Sequence, residues 1–225
     1  QMLNCRRIKR DDKNGMKSIP YGKQWIDESD INAVISVLKS DWLTQGPLLE
    51  QFERVVAENC GVKWAVAISS GTAALHIACL AAGLKENDIL WTSPNTFVAS
   101  ANCALYCNAS PDFVDINPHT YNIGIPALEE KLYKSKKSGC LPKIVIPVHF
   151  AGQSCEMGKI FSLSKKYNFI IIEDACHAIG GSYKGSKIGS CKFSDMTIFS
   201  FHPVKIITTG EGGMILTNNK DFYQK

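Results

Sequence analysis

Hydrophobic and polar positions along the chain alternate between two habits, a helical period and short continuous apolar runs. Residues 27–40, DESDINAVISVLKS, open on acids suited to an N-cap and place Ile31, Val34, Ile35 and Leu38 on one helical face. Residues 47–61, PLLEQFERVVAENCG, begin with proline and end at glycine, the punctuation of a second helix. The short run WAVAIS (64–69) then predicts a strand, and TAALHIACLAAG (72–83) a buried helix. The same alternation continues through DILWTSP (88–94, strand), NTFVASANCALYCN (95–108, helix) and PDFVDI (111–116, strand). PALEEKLYKSKKSG (126–139) is an amphipathic helix whose lysine-rich end complements its dipole. KIVIPVHF (143–150), the helical MGKIFSLSKKYN (157–168), FIIIEDA (169–175), MTIFSF (196–201) and GMILTN (213–218) complete the series.

Apolar strands separated by covering helices predict an α/β fold with a mainly parallel central sheet. In such sheets ligands collect beyond the carboxyl ends of the strands. The residues that matter are therefore those that follow each apolar run: SSGT (69–72), SPNTF (93–97), HFAG (149–152), EDACH (173–177) and SFHPVK (200–205).

Composition adds bounds rather than chemistry. The 225 residues are 45% hydrophobic and 20% charged, an ordinary globular balance with material for one or two domains. No apolar run approaches the roughly 18 residues that a membrane helix needs, and no apolar core follows the first charges as in a secretory signal. Residues 1–15 carry five basic and two acidic side chains, which is most of the net charge of +4. They read as a disordered leader or as sequence upstream of a natural start at Met16, not as a nucleic-acid arm. The remaining residues build no basic stripe along the sequence. The nine cysteines are scattered without a CxxC pair or zinc spacing, which predicts packed free thiols in a reducing cytoplasm.

Each candidate at the strand ends has a plain reading and a chemical one. Gly71 and Thr72 stand at a strand-to-helix turn, where Ser70 or Thr72 serves as an N-cap or the free amides receive a phosphate. Phe97 is a core side chain or an exposed aromatic that stacks on a flat ring. Asp174 caps a turn or holds a proton on a pyridinium nitrogen. His177 is structural, a partner to the same ring, or, with Asp174 and His149, part of a metal site. Lys205 stands among Val204, Ile206 and Ile207, with Ser200 and His202 upstream and TTGEGG (208–213) downstream. It is a lysine at a loop rim, or a desolvated amine able to condense with a carbonyl. Phosphate turn, aromatic, acid and lysine follow one another at the strand ends in the order that a pyridoxal phosphate site uses.

SSGTAAL (69–75), EDACHAIG (173–180) and SFHPVKIITTGEGG (200–213) resemble the DegT/StrS family of sugar aminotransferases, as do residues 21–47 and HFAGQSCEM (149–157). The resemblance spans residues 16–225. It implies the aspartate-aminotransferase-like fold, with pyridoxal 5'-phosphate as cofactor and Lys205 as its Schiff-base lysine and proton shuttle. It further implies that Asp174 pairs with the ring nitrogen, Phe97 stacks on the ring and His177 lies near the phenolic oxygen. Gly71, Thr72 and Ser200 would bind the phosphate. Gly71 and Ser200, with Tyr21, Asp41, Trp42, Leu43 and Thr44, would meet the nucleotide sugar or its adduct. The implied reaction moves an amino group, with glutamate as donor, onto a nucleotide-linked 4-keto-6-deoxy sugar in a homodimer. Members of this family continue past the position of Lys225, so the resemblance makes residues 16–225 a truncated large domain whose C-terminal small domain is missing. A sugar dehydratase and a non-catalytic relative are the rival readings; dehydratases of the family carry histidine at the lysine position.

Overall fold

The computed structural model describes residues 22–225. Helix α1 (Glu28–Leu38) starts from a reciprocal cap: the Asp27 carboxylate accepts from the Ser29 and Asp30 amides, and Asp30 accepts from the Asp27 amide. Its predicted apolar face forms but stays open, with Val34 60% and Leu38 65% exposed. Helix α2 (Pro47–Cys60) has proline in its first turn and ends at Gly61, which takes the left-handed conformation that glycine accepts without strain.

Every segment read as a strand is one. They are β1 (Trp64–Ile68), β2 (Ile89–Thr92), β3 (Ser110–Phe113), β4 (Ile144–Ile146) and β5 (Ile170–Asp174). A small hairpin, β6 (Ser182–Tyr183) and β7 (Ser186–Lys187), precedes β8 (Met196–Ser200) and β9 (Gly213–Thr217). Helices α3 (Gly71–Ala81), α4 (Ala99–Tyr106), α5 (Ile125–Ser138) and α6 (Met157–Tyr167) fall between strands, and α7 (Lys220–Gln224) follows the last. The main sheet has the order β1-β9-β8-β5-β4-β2-β3. From β8 across to β3 all neighbours are parallel, while β9 runs antiparallel to both β1 and β8.

Successive residues of a strand point to opposite faces. In this sheet Leu90, Ile144, Ile146 and Ile172 pack on one face with the α3 and α4 residues Ala74, Ala78, Cys103 and Ala104. Their neighbours Trp91, Val145 and Ile171 pack on the other face with Leu128 and Leu132 of α5 and Ile160 of α6. Helix α2 covers the same second face near β8 and β9, through Val56, Ala57 and Cys60 against Phe199 and Leu216. Burial on both faces is why the strands read as unbroken apolar runs instead of alternating.

Among the differences from the sequence reading, three have a plain local reason. Strand β4 stops at Ile146 because Pro147 has no amide to continue the ladder. The chain still runs beside β5 as far as Val148, which bridges to Asp174 and delivers His149 next to that acid. Helix α4 begins at Ala99 and not at 95, since residues 94–98 form a loop closed by the Thr96 amide on the Pro94 carbonyl. The β6–β7 hairpin was not foreseen. It turns at Lys184 and Gly185, both at positive φ, in segments too short to show a period.

Candidate active site

Five strand ends meet at one cleft of about 500 Å³. The turn after β1 contributes Ser70, Gly71 and Thr72; the loop after β2 contributes Asn95, Thr96 and Phe97. The segment after β4 brings Val148, His149 and Phe150, β5 ends in Asp174 with Cys176 and His177 beyond it, and β8 ends in Ser200 before His202, Val204 and Lys205. The structure thus gathers Gly71, Thr72, Phe97, Asp174, His177, Ser200 and Lys205 around one space, as the strand-end rule requires.

Ser70 is the N-cap of α3, its hydroxyl accepting from the Ala73 amide at 3.1 Å. The plain reading of that serine therefore holds, and it leaves the chemical one intact. The amides of Gly71 and Thr72, ahead of the capped position, have no protein acceptor among the described residues. They sit at the positive end of the helix dipole and open onto the cleft, a ready receptor for an anion. Gly71 is needed for closeness: a Cβ there would lie 2.9 Å from Ser200 Cβ and 3.2 Å from Cys176 Sγ.

Asp174 is 6% exposed. Its Oδ2 accepts from the Ser100 hydroxyl at 2.6 Å and its Oδ1 from the Cys176 amide at 3.2 Å. Each oxygen keeps a second lone pair, and the residue lines the cleft. The preceding Glu173 points to the other face of the sheet, where His149, Ser194 and Thr197 bond it. His149 is spent in that role. Its Nδ1 accepts the Cys155 amide at 3.2 Å and its Nε2 meets Glu173 at 2.7 Å, so neither nitrogen is open to a metal beside Asp174. Among the described residues no three His, Cys, Asp or Glu side chains group as a metal site.

Lys205 is half-buried, but not by its sequence neighbours. Val204 and Ile206 are 60% and 64% exposed, and Lys205 lines the cleft. Its loop is pinned at both ends to buried Phe201, whose amide donates to Gly212 and whose carbonyl accepts from Thr208 and Thr209. The ammonium lies close enough to act on two neighbours. Burial chiefly, and then the charge of Lys205, lower His177, with Asp174 pulling it back up. Burial and then Asp174 push the Cys176 thiol well above its ordinary range, and Lys205 offsets part of that. Lysine, acid, histidine and thiol therefore form one electrostatic unit.

Phe97 is 72% exposed at the cleft rim, as an aromatic that stacks on a ring would be, and it is not a core side chain. Asp41, Trp42, Leu43 and Thr44 are exposed in the connection between α1 and α2 and do not line the cleft. Tyr21 lies outside the described residues. The sequence reading passed over Thr96, Ser100, Cys176 and Glu211. Cys176 was signalled by its place two residues after Asp174, whereas Ser100 lies on a helix of small residues and carried no mark.

The described cysteines are free thiols, and among the described residues no helix is long and apolar enough to cross a membrane. Residues 24–225 match the model of the DegT/DnrJ/EryC1/StrS aminotransferase family. The UDP-4-amino-4,6-dideoxy-N-acetyl-beta-L-altrosamine transaminase of Campylobacter jejuni is 46% identical over 207 residues, covering 92% of this chain and 53% of the relative. Among solved structures, Helicobacter pylori PseC, an aminotransferase involved in the biosynthesis of pseudoaminic acid, superposes with a TM-score of 0.83 at 34% identity. That match covers 92% of this chain and 54% of PseC. The PLP form of Spr1654 from Streptococcus pneumoniae, a putative sugar aminotransferase, gives 0.81 at 29% identity, covering 92% of this chain and 54% of its own. The chain thus spans about half the length of the relatives it matches. With its strand-end lysine, acid and anion turn, the chain belongs to the DegT/DnrJ/EryC1/StrS aminotransferase family.

Proposed function

We propose that the cleft binds pyridoxal 5'-phosphate and that the protein carrying this chain transfers an amino group to a nucleotide-linked 4-keto-6-deoxy sugar, of the UDP-linked N-acetylhexosamine class. The observation that carries the reading is the shared cleft: a free-amide helix turn, a buried anchored carboxylate and a sheltered lysine face one volume. The residues fit the group. Gly71 and Thr72 amides with the Ser200 hydroxyl suit its phosphate, and Gly71 has the bare backbone that close approach needs. Asp174 suits the ring nitrogen, Phe97 suits the ring face and His177, whose charged form burial and then Lys205 disfavour, suits the phenolic oxygen.

The cofactor supplies an electron sink when bound. The chain would supply orientation and proton handling: Lys205 would hold the cofactor through its amine and move the proton, and Asp174 would hold the ring nitrogen. Glutamate is the proposed donor. Asp41, Trp42, Leu43, Thr44 and Tyr21 are proposed sugar contacts, which requires their connection to reach the cleft of this chain or of a second copy in a homodimer. The Campylobacter relative supports the UDP-sugar class through the sugar in its name, and the likeness to Helicobacter pylori PseC supports a place in pseudaminic acid formation. Free thiols at the described cysteines suit a cytoplasmic protein.

Borohydride reduction in the presence of pyridoxal phosphate tests the assignment. Peptide mapping should find the pyridoxyl group on Lys205; a label spread over surface lysines, with the Lys205 peptide unmodified, refutes it. Incubation with UDP-4-keto sugars and glutamate should then yield the amino sugar by mass.

A further inference from the structure

Asp174 does not reach its place alone. Ser100, on the first turn of α4, is fully buried and lies 2.6 Å from Asp174 Oδ2. The same hydroxyl is 2.8 Å from Thr96 Oγ1 and 3.3 Å from the Phe97 carbonyl. A serine has one proton to give, and a carboxylate has none. The shortest contact therefore takes the Ser100 proton, and Thr96 must be the donor into Ser100. The result is a chain of fixed direction, Thr96 to Ser100 to Asp174. The Cys176 amide holds the other carboxylate oxygen.

The chain also joins two functions. Thr96 and Ser100 flank Phe97, the exposed aromatic of the cleft, and the Ser100 amide bonds the Phe97 carbonyl at 3.2 Å. The segment 96–100, a loop leading into the first turn of α4, would thus set both the carboxylate at a ring edge and the aromatic at its face. We infer that Ser100 is a positioning residue, aiming the Asp174 carboxylate at the ring nitrogen of the cofactor. The inference rests on the reading of the cleft as a pyridoxal phosphate site. Asp174 lines the cleft, and Oδ2 keeps a lone pair beyond the one that Ser100 takes. Without Ser100 the carboxylate can rotate about its terminal torsion, which is broad for aspartate.

The test compares two ligands in the protein carrying this chain. One is pyridoxal phosphate; the other is its ring analogue with carbon in place of the pyridine nitrogen. Ser100→Ala should weaken pyridoxal phosphate binding about tenfold, the loss expected when a charge-assisted hydrogen bond to the acid is removed. Binding of the carbon analogue should not change, because it offers Asp174 no ring N–H. Ser100→Thr keeps the hydroxyl and should recover pyridoxal phosphate binding. In an Asp174→Asn background, Ser100→Ala should add no further loss, and that comparison decides the matter if the threonine is too large for the site. Equal weakening toward both ligands would make Ser100 a packing residue and overturn the inference, as would no weakening toward either. If the unsubstituted protein binds neither compound, the cofactor reading itself fails. The two failures are therefore told apart by the parent protein.

Discussion

Gly213 is the residue where fold and site are most tightly joined. It opens β9 and pairs with Ile68 at the end of β1 and with Ser200 at the end of β8. It therefore lies between the strand that leads into the anion turn and the strand that leads to the lysine. A Cβ at this position would stand 2.4 Å from the carbonyl carbon and oxygen of Ser70 and 2.7 Å from the Gly71 nitrogen. Ordinary contact begins near 3.4 Å, and here the obstacle is backbone, which cannot swing aside as a side chain can. The Ser70–Gly71 peptide unit must retreat by about 1 Å, or β9 must lift from its two neighbours. Overpacking of this kind costs about 1 to 3 kcal/mol, and a rigid obstacle puts Gly213→Ala at about 3. For a chain of this size that lowers Tm by roughly 6 to 12 °C. Gly210→Ala is the control. It sits at φ +82° with no atom within 4 Å of a new Cβ, so it should cost only the strain of a left-handed alanine, about 1 kcal/mol and roughly 2 to 4 °C. The pair should be compared by thermal unfolding and by pyridoxal phosphate titration, in which only Gly213→Ala displaces the anion turn. Equal Tm losses, or a folded Gly213→Ala protein with undiminished cofactor affinity, would refute the reasoning.

Two other expectations follow from the cleft. His177 should titrate below the ordinary 6.5 in an NMR pH series, because burial and Lys205 both disfavour its charge; Lys205→Met should move it up and Asp174→Asn further down. A depressed histidine binds fewer protons folded than unfolded, so its stabilising contribution is complete above 6.5 and is lost as pH falls through that value and then through the folded one; no upward shift in Lys205→Met would place Lys205 away from it. Phe97→Ala should leave unfolding within about 0.5 kcal/mol of the parent, as for an exposed side chain outside the core, while weakening pyridoxal phosphate binding; a large stability loss would return Phe97 to the core.

Much of the fold was legible because burial on both sheet faces imposes a simple rule on sequence. Runs such as IVI in β4 and III in β5 can only be strands covered twice, and the helices that cover them show as amphipathic or small-residue segments between. Several residues that line the cleft were legible for the same reason. A polar residue ending such a run is anomalous, and Asp174 and Ser200 announced themselves that way. What the strand pattern could not say is direction. Nothing in GMILT marks β9 as the reversed strand, since an antiparallel strand buried on both faces is as apolar as a parallel one. The reversal goes with the return through residues 201–212, which forms no helix to carry a crossover to a parallel neighbour.

The neighbouring acids Glu173 and Asp174 show where the limit lies. In sequence they are one polar pair at the end of FIII, and either could have been the acid of the site. The period of two sends them to opposite faces: Glu173 to His149, Ser194 and Thr197, and Asp174 to Ser100 and the cleft. Parity alone therefore separates the acid that lines the cleft from the one bonded on the opposite face, provided that the face carrying the cleft is known. That face is set by α3 and α4, whose first turns hold the anion amides and the hydroxyl that grips Asp174. Ser100 escaped notice because a buried serine among alanines on a helix has the composition of packing. Its hydrogen-bond partner lies across 74 positions of chain, and that partnership exists only after β5 and α4 have been brought together by the core beneath them.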